Sequence, residues 1–201
     1  MHRTMTRRDR LRAALNIVAA ICALIATPHR ASAELGHARA PGFKLQSLTG
    51  ARLDLAQLRS HGPVLLDFWA TWCKPCLTAI PELEMIHKEF SPRGLTVIGV
   101  STDGPRSFSK VRPFVARQSI TYPIALDEDG NMQQKYQVRA MPMTVLIDTA
   151  GTIVNVSQGF RPGEGSLVRA AIMKLLPAPL GATEAAPADS AAADSAAGTV
   201  R

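Results

Sequence analysis

An apolar run, Val64-Leu65-Leu66-Asp67-Phe68-Trp69, leads within three residues into Cys73-Lys74-Pro75-Cys76 and then into a segment with helical spacing that ends at Phe90. A short, continuously apolar run reads as a strand buried on both faces. Ile80, Leu83, Ile86 or His87, and Phe90 recur at intervals of three and four, which predicts a helix from Cys76 to Phe90. The two cysteines are thereby expected at the carboxyl end of an inner strand and the mouth of a helix, where α/β proteins commonly place their sites.

The remaining pattern surrounds that unit with more of the same kind. Phe43 to Leu48 and Arg52 to Leu55 flank Thr49-Gly50 as a short hairpin, and Leu95 to Val100 is a second apolar strand. Ser107 to Gln118 is a helix candidate carrying Phe108, Val111, Phe114 and Val115, with a kink or late start expected at Pro113. Met132 to Tyr136 fits a short helix, Met143 to Ile147 and Ile153 to Val156 an antiparallel hairpin, and Ser166 to Leu176 a closing helix. The order implies an α/β fold with a central mixed β-sheet flanked by helices and an N-terminal β-hairpin extension.

The formal charge of +7 suggests nucleic acid or anionic lipid until it is located. Of 23 basic and 16 acidic residues, six and one lie in residues 1–33, leaving 17 and 15 elsewhere, so no basic functional surface and no nucleic-acid partner is expected. Residues 1–33 have an Arg-rich start, an apolar stretch from Ala13 to Ala26 and a small-residue end, Ala31-Ser32-Ala33. That is the layout of a signal peptide cut after Ala33; an uncleaved N-terminal anchor is the other reading. The apolar stretch falls short of the ~20 residues that cross a bilayer comfortably. Both readings place the rest of the chain in the periplasm or cell envelope, with membrane contact only through an uncleaved N-terminus; Thr6-Arg7-Arg8 leaves the twin-arginine route open beside the general one. The folded domain is expected over residues 41–176, and the Ala/Pro/Ser-rich residues 177–201 as a disordered tail.

Cys22 lies inside the apolar export segment, so only Cys73 and Cys76 remain, and a pair so close in sequence closes too small a loop to stabilise much. Chemistry explains the pair better. A cysteine at a helix mouth faces free N–H groups and the positive end of the macrodipole, which favour thiolate, so Cys73 is the expected nucleophile. Cys76, one turn further in, is the expected resolving thiol. Pro75 suits a first helical turn because its missing N–H would be unpaired there anyway. Lys74 adds positive charge beside Cys73. A zinc site would need further ligands, and His37, His61 and His87 form no spaced pair, so neither metal nor other cofactor is expected beyond the redox-active Cys73–Cys76 disulfide. Asp67, a carboxylate in an apolar strand, should titrate high and suits proton transfer; an acid satisfied by backbone donors is the alternative.

The string Phe68-Trp69-Ala70-Thr71-Trp72-Cys73-Lys74-Pro75-Cys76, with Pro81 after it, resembles the thioredoxin superfamily, and most of all its exported TlpA/ResA-type branch. The resemblance spans roughly Pro41 to Leu176 and implies a thioredoxin-like fold. It implies a thiol-disulfide oxidoreductase, working as an envelope reductase in tasks such as cytochrome c maturation. Partners would be protein thiols and disulfides and a membrane dithiol electron donor, and the chain would be a monomer. Met141-Pro142 falls at the family's cis-proline loop, so the resemblance makes Pro142 cis and gives the Met141 backbone to an extended substrate segment; without it, a trans turn proline is the plain reading. The resemblance also assigns Asp67 to deprotonating Cys76, and Gly159 to a close approach of the partner's backbone, against a simple turn. Trp69, Trp72 and Phe68 read as an apolar docking rim, Trp69 and Phe68 equally as core. Ala79 stands where several ResA-like proteins carry a glutamate, which leaves the acid-base role to Asp67.

Two other activities share this fold. A peroxiredoxin-like peroxidase would want a threonine at position 70, where Ala70 stands, and a Sco-type copper factor would want a histidine in the later half, where there is none. The direction of electron flow stays open at this point, because stabilising the Cys73 thiolate makes the disulfide more oxidising.

Overall fold

The computed structural model describes residues 37–159 and 163–177. The expected export segment and all but the first residue of the expected tail lie outside the described residues. No helix among the described residues is long and apolar enough to cross a membrane.

The chain first forms an antiparallel hairpin from Lys44–Gln46 (β1) and Arg52–Asp54 (β2). Leu55 does not extend β2 as its apolar character suggested. Asp54 accepts a hydrogen bond from the Ala56 N–H at 3.0 Å, and this cap starts a one-turn helix, Leu55–Leu58 (α1). Five strands then build the main sheet: Val64–Trp69 (β3), Thr96–Ser101 (β4), Ile124–Leu126 (β5), Met143–Ile147 (β6) and Ile153–Gln158 (β7). Their order is β5-β4-β3-β6-β7, with β3, β4 and β5 parallel and β6 antiparallel to both β3 and β7. The fold is thioredoxin-like, a mixed sheet flanked by helices with a two-stranded N-terminal extension.

The helices are Lys74–Phe90 (α2), Phe108–Arg117 (α3), Asn131–Lys135 (α4) and Glu164–Leu175 (α5). Helix α3 begins well before Pro113 and runs through it, so the expected late start does not occur. Pro113 removes one helical bond, the one its N–H would have made, and its ring crowds the carbonyl of Ser109 one turn earlier. The edge strand β5 had no counterpart in the sequence reading. It is three residues long and follows Pro123, and β1's end secures it: the Leu48 N–H donates to the Ile124 carbonyl at 2.7 Å.

Both faces of the sheet are sealed. Leu65, Trp69 and Leu146 pack with Ile80 of α2, Phe114 of α3 and Ile172 of α5. On the other face, Leu66, Phe68, Val100 and Val145 pack with Phe43, Leu53, Met132 and Tyr136. Trp69 stacks on Phe114 with ring centroids 5.1 Å apart. Phe68 meets Tyr136 at 5.6 Å. Each such side chain contributes about 1.5–3 kcal/mol by leaving water.

Strand β3 runs between two poles. At its start, Val64 lies opposite Thr96 and Ile147; at its end, Trp69 lies opposite Ser101. The first described residues attach near the start, with the His37 N–H on the Ile153 carbonyl and the Ala40 N–H on the Gly151 carbonyl, each at 2.8 Å. The last described residue is there too, its Pro177 carbonyl accepting from Arg93 Nη2 at 2.7 Å. The opposite pole carries the cysteines.

Candidate active site

Cys73 and Cys76 form a disulfide with Cα atoms 5.3 Å apart. Cys73 is the N-cap of α2, with extended backbone (φ −83°, ψ 98°), and its Sγ accepts from the Cys76 N–H at 3.3 Å. The helix therefore begins at Lys74, two residues earlier than its apolar spacing indicates, because the cysteine itself supplies the cap. Pro75 sits in the first turn, where no N–H is missed, and no acidic side chain stands in that turn to oppose a developing thiolate. Cys73 is 5% exposed and Cys76 is 1% exposed. Cys73 is thus the less deeply buried of the two cysteines.

Asp67 lies in the middle of β3, paired with Gly99 on β4 and Thr144 on β6. Side chains alternate along a strand, so Asp67 shares its face with Leu65 and Trp69, the face covered by α2. It is buried, and its Oδ1 has no hydrogen-bond partner. The reading of Asp67 as an acid fully satisfied by backbone donors therefore does not fit. Burial pushes its carboxyl up to about 7, into the range where it can take or give a proton near neutral pH.

The Met141–Pro142 peptide is cis, and Pro142 is buried. The Gly159 N–H donates to the Pro142 carbonyl at 2.8 Å, with Gly159 in the left-handed region (φ 81°). A Cβ at Gly159 would meet nothing of this chain within 4 Å, so the backbone conformation, rather than internal crowding, is what calls for glycine. Trp72 is 65% exposed beside the dithiol, whereas Phe68 and Trp69 are fully buried. The apolar rim is Trp72 alone; the other two aromatics are core.

One feature near the cysteines was not read from the sequence. Asp103, fully buried after β4, accepts from the Thr71 N–H at 2.9 Å, the Thr71 hydroxyl at 2.6 Å and the Ser101 hydroxyl at 2.9 Å. Next to it, the Thr102 hydroxyl lies 3.1 Å from both the Trp69 carbonyl and the Met141 sulfur. These contacts tie the segment before Cys73 to the end of β4 and to the loop before Pro142. Among the described residues no group of three or more His, Cys, Asp or Glu is placed to hold a metal ion.

A disulfide at a helix mouth, a buried carboxyl under that helix and a cis-proline loop beside it are the parts of a dithiol exchanger. The model of the AhpC/TSA family matches residues 37–156. The chain belongs to the AhpC/TSA family. It is 35% identical over 121 residues to the thiol-disulfide oxidoreductase ResA of Halalkalibacterium halodurans, covering 60% of this chain and 67% of that one. It is 36% identical over 122 residues to the thioredoxin-like protein YneN of Bacillus subtilis, covering 60% and 70% respectively. Among solved structures, a Chlorobium tepidum protein assigned as thiol:disulfide interchange protein DsbE superposes with a TM-score of 0.64 at 29% identity, covering 69% of this chain and 96% of that one. The activity of this family member is thiol-disulfide exchange.

Proposed function

We propose that the chain acts in the cell envelope as a disulfide reductase. In this reading the reduced Cys73 thiolate attacks one sulfur of a partner's disulfide and forms a mixed disulfide, releasing the partner's other sulfur as a thiolate that takes up a proton. The Cys76 thiol then gives its proton to the Asp67 carboxylate and attacks the Cys73 sulfur. The Cys73–Cys76 disulfide closes and the partner leaves as a dithiol, two electrons richer. The observation that carries the mechanism is the buried Asp67 on the sheet face beneath α2, with its carboxyl held at about 7. Trp72, Lys74 and Pro75 form one wall of the partner site; Met141 and Pro142 form the other, where the Met141 backbone receives an extended segment.

A membrane dithiol donor would recharge the pair, and maturation of c-type cytochromes is a task of this kind. The export-like layout of residues 1–33 and the likeness to ResA support the envelope and the direction. The chain works as a monomer in this reading. A redox titration of the pair tests the direction: a potential near ~−270 mV supports a reductase, and one near ~−120 mV overturns it.

The family match also favours a second reading, a peroxidase. Against it, residue 70 is a fully buried alanine, with no hydroxyl to offer a peroxide. Consumption of hydrogen peroxide by purified protein lacking any thiol substrate would decide for the peroxidase.

A further inference from the structure

An open groove of about 460 Å³ runs past the dithiol, with Trp72, Cys73 and Lys74 on one side and Val138, Arg139 and Met141 on the other. Lys74 and Arg139 are the charged side chains among the groove's lining residues. Both are exposed, and among the described residues neither makes a hydrogen bond or an ion pair. Two acids that flank the motif in the fold do not line the groove. Asp103 is buried and occupied by Thr71 and Ser101, and Asp67 is inside the sheet.

The local backbone sets where the two cations leave the chain. Lys74 is the first helical residue after the capping Cys73. Arg139 follows a turn in which Gln137 takes the left-handed conformation (φ 52°). The Val138 N–H closes that turn on the Gln133 carbonyl at 2.9 Å. A non-glycine residue held at positive φ is uncommon and persists where the surroundings over-determine it. Here it brings Arg139 to the wall facing the motif.

We propose that this groove selects extended partner segments that carry a carboxylate next to the reacting cysteine, with Lys74 and Arg139 receiving the acid from opposite sides. Two unpaired cations beside an apolar tryptophan attract an acidic segment before contact and favour its register, and both effects weaken as salt screens them. The inference rests on the exchange reading above, since the groove matters only if partners reach Cys73.

The test uses three disulfide-linked peptide dimers that differ only in the residue before cysteine: aspartate, glutamine or lysine. Dithiol-reduced protein is mixed with each, and the reduction rate is divided by the rate of the same peptide with dithiothreitol, which removes intrinsic differences in reactivity. In each turnover the Cys73–Cys76 dithiol gives two electrons to the peptide disulfide and two peptide thiols leave. The expected order is aspartate, glutamine, lysine, with about a tenfold span at low salt that shrinks in high salt, and inversion of the order in Arg139→Glu. Equal normalised rates, or an order unchanged in both Arg139→Glu and Lys74→Glu, overturn the charge preference while leaving exchange intact. Absence of reduction with all three peptides overturns the exchange reading itself.

Discussion

The Asp103 carboxylate grips Thr71 twice, through the backbone N–H at 2.9 Å and the hydroxyl at 2.6 Å, across a separation of 32 residues. The turn before Cys73 is thus fastened to the end of the neighbouring strand by a buried acid. Replacing Asp103 by alanine leaves the half-buried Thr71 N–H and hydroxyl and the buried Ser101 hydroxyl without their acceptor, and a buried unmatched group costs about 1–3 kcal/mol. Asp103→Ala should lower unfolding free energy in urea by at least about 2 kcal/mol, and Thr71→Val, which removes only the hydroxyl bond, by about 1 kcal/mol. Equal losses in the two variants would contradict this account.

Asp67 should leave a mark on stability against pH. Its carboxyl titrates at about 7 in the fold against an ordinary value of 3.8, so between those values the native state holds a proton that the unfolded chain has released. Stability from this group is complete below pH ~4 and is lost as pH rises towards about 7. The spread corresponds to about 4 kcal/mol. In the oxidised protein, Asp67→Asn should therefore be more stable than the parent at pH 8 and nearly equal to it at pH 3.5, measured by urea unfolding at both values. The same variant should slow partner release at neutral pH, read as longer-lived mixed disulfides.

The two cysteines should behave differently when replaced singly. Cys76→Ser retains the outer sulfur and removes the group that resolves the mixed disulfide, so partner proteins should accumulate on Cys73. Cys73→Ser should capture little, because Cys76 is 1% exposed. Mass spectrometry of the trapped species in the native compartment reads both outcomes.

The two tryptophans separate stability from contact. Trp69→Ala opens the core where the indole stacks on Phe114 and should cost about 3–5 kcal/mol. Trp72, 65% exposed, should change stability by less than about 0.5 kcal/mol when replaced by alanine, while slowing reaction with protein disulfides. Thermal melts and stopped-flow exchange measure the two effects independently.

The parts of this molecule that could be read in the sequence are those in which a local pattern carries the information. β3 and β6 occupy the residues read for them, the first as an apolar run and the second as half of a hairpin, because Pro63 and Pro142 stand directly before them and mark where each starts. The cysteine pair was equally plain, since few arrangements explain two isolated thiols at a helix start. β5 was invisible: three residues after a proline are too few for a period, and the strand exists because β4 and the β1 turn hold it. The Asp103–Thr71 tie was missed because it joins residues far apart in the chain, and an acid after a strand looks like any loop carboxylate. Phe68 and Trp69 were ambiguous between rim and core because alternation fixes opposite faces but not which faces are covered.

Both described chain ends fasten at the start of β3, through His37 and Ala40 on one side and Pro177 on the other, while Cys73 stands beyond its end. Six strand residues, about 20 Å at ~3.3 Å per residue, lie between these poles. Whatever is joined to either end, a tether or a neighbouring module, is attached behind the molecule, and its reactive face is presented forward like the head of a tool held by its handle.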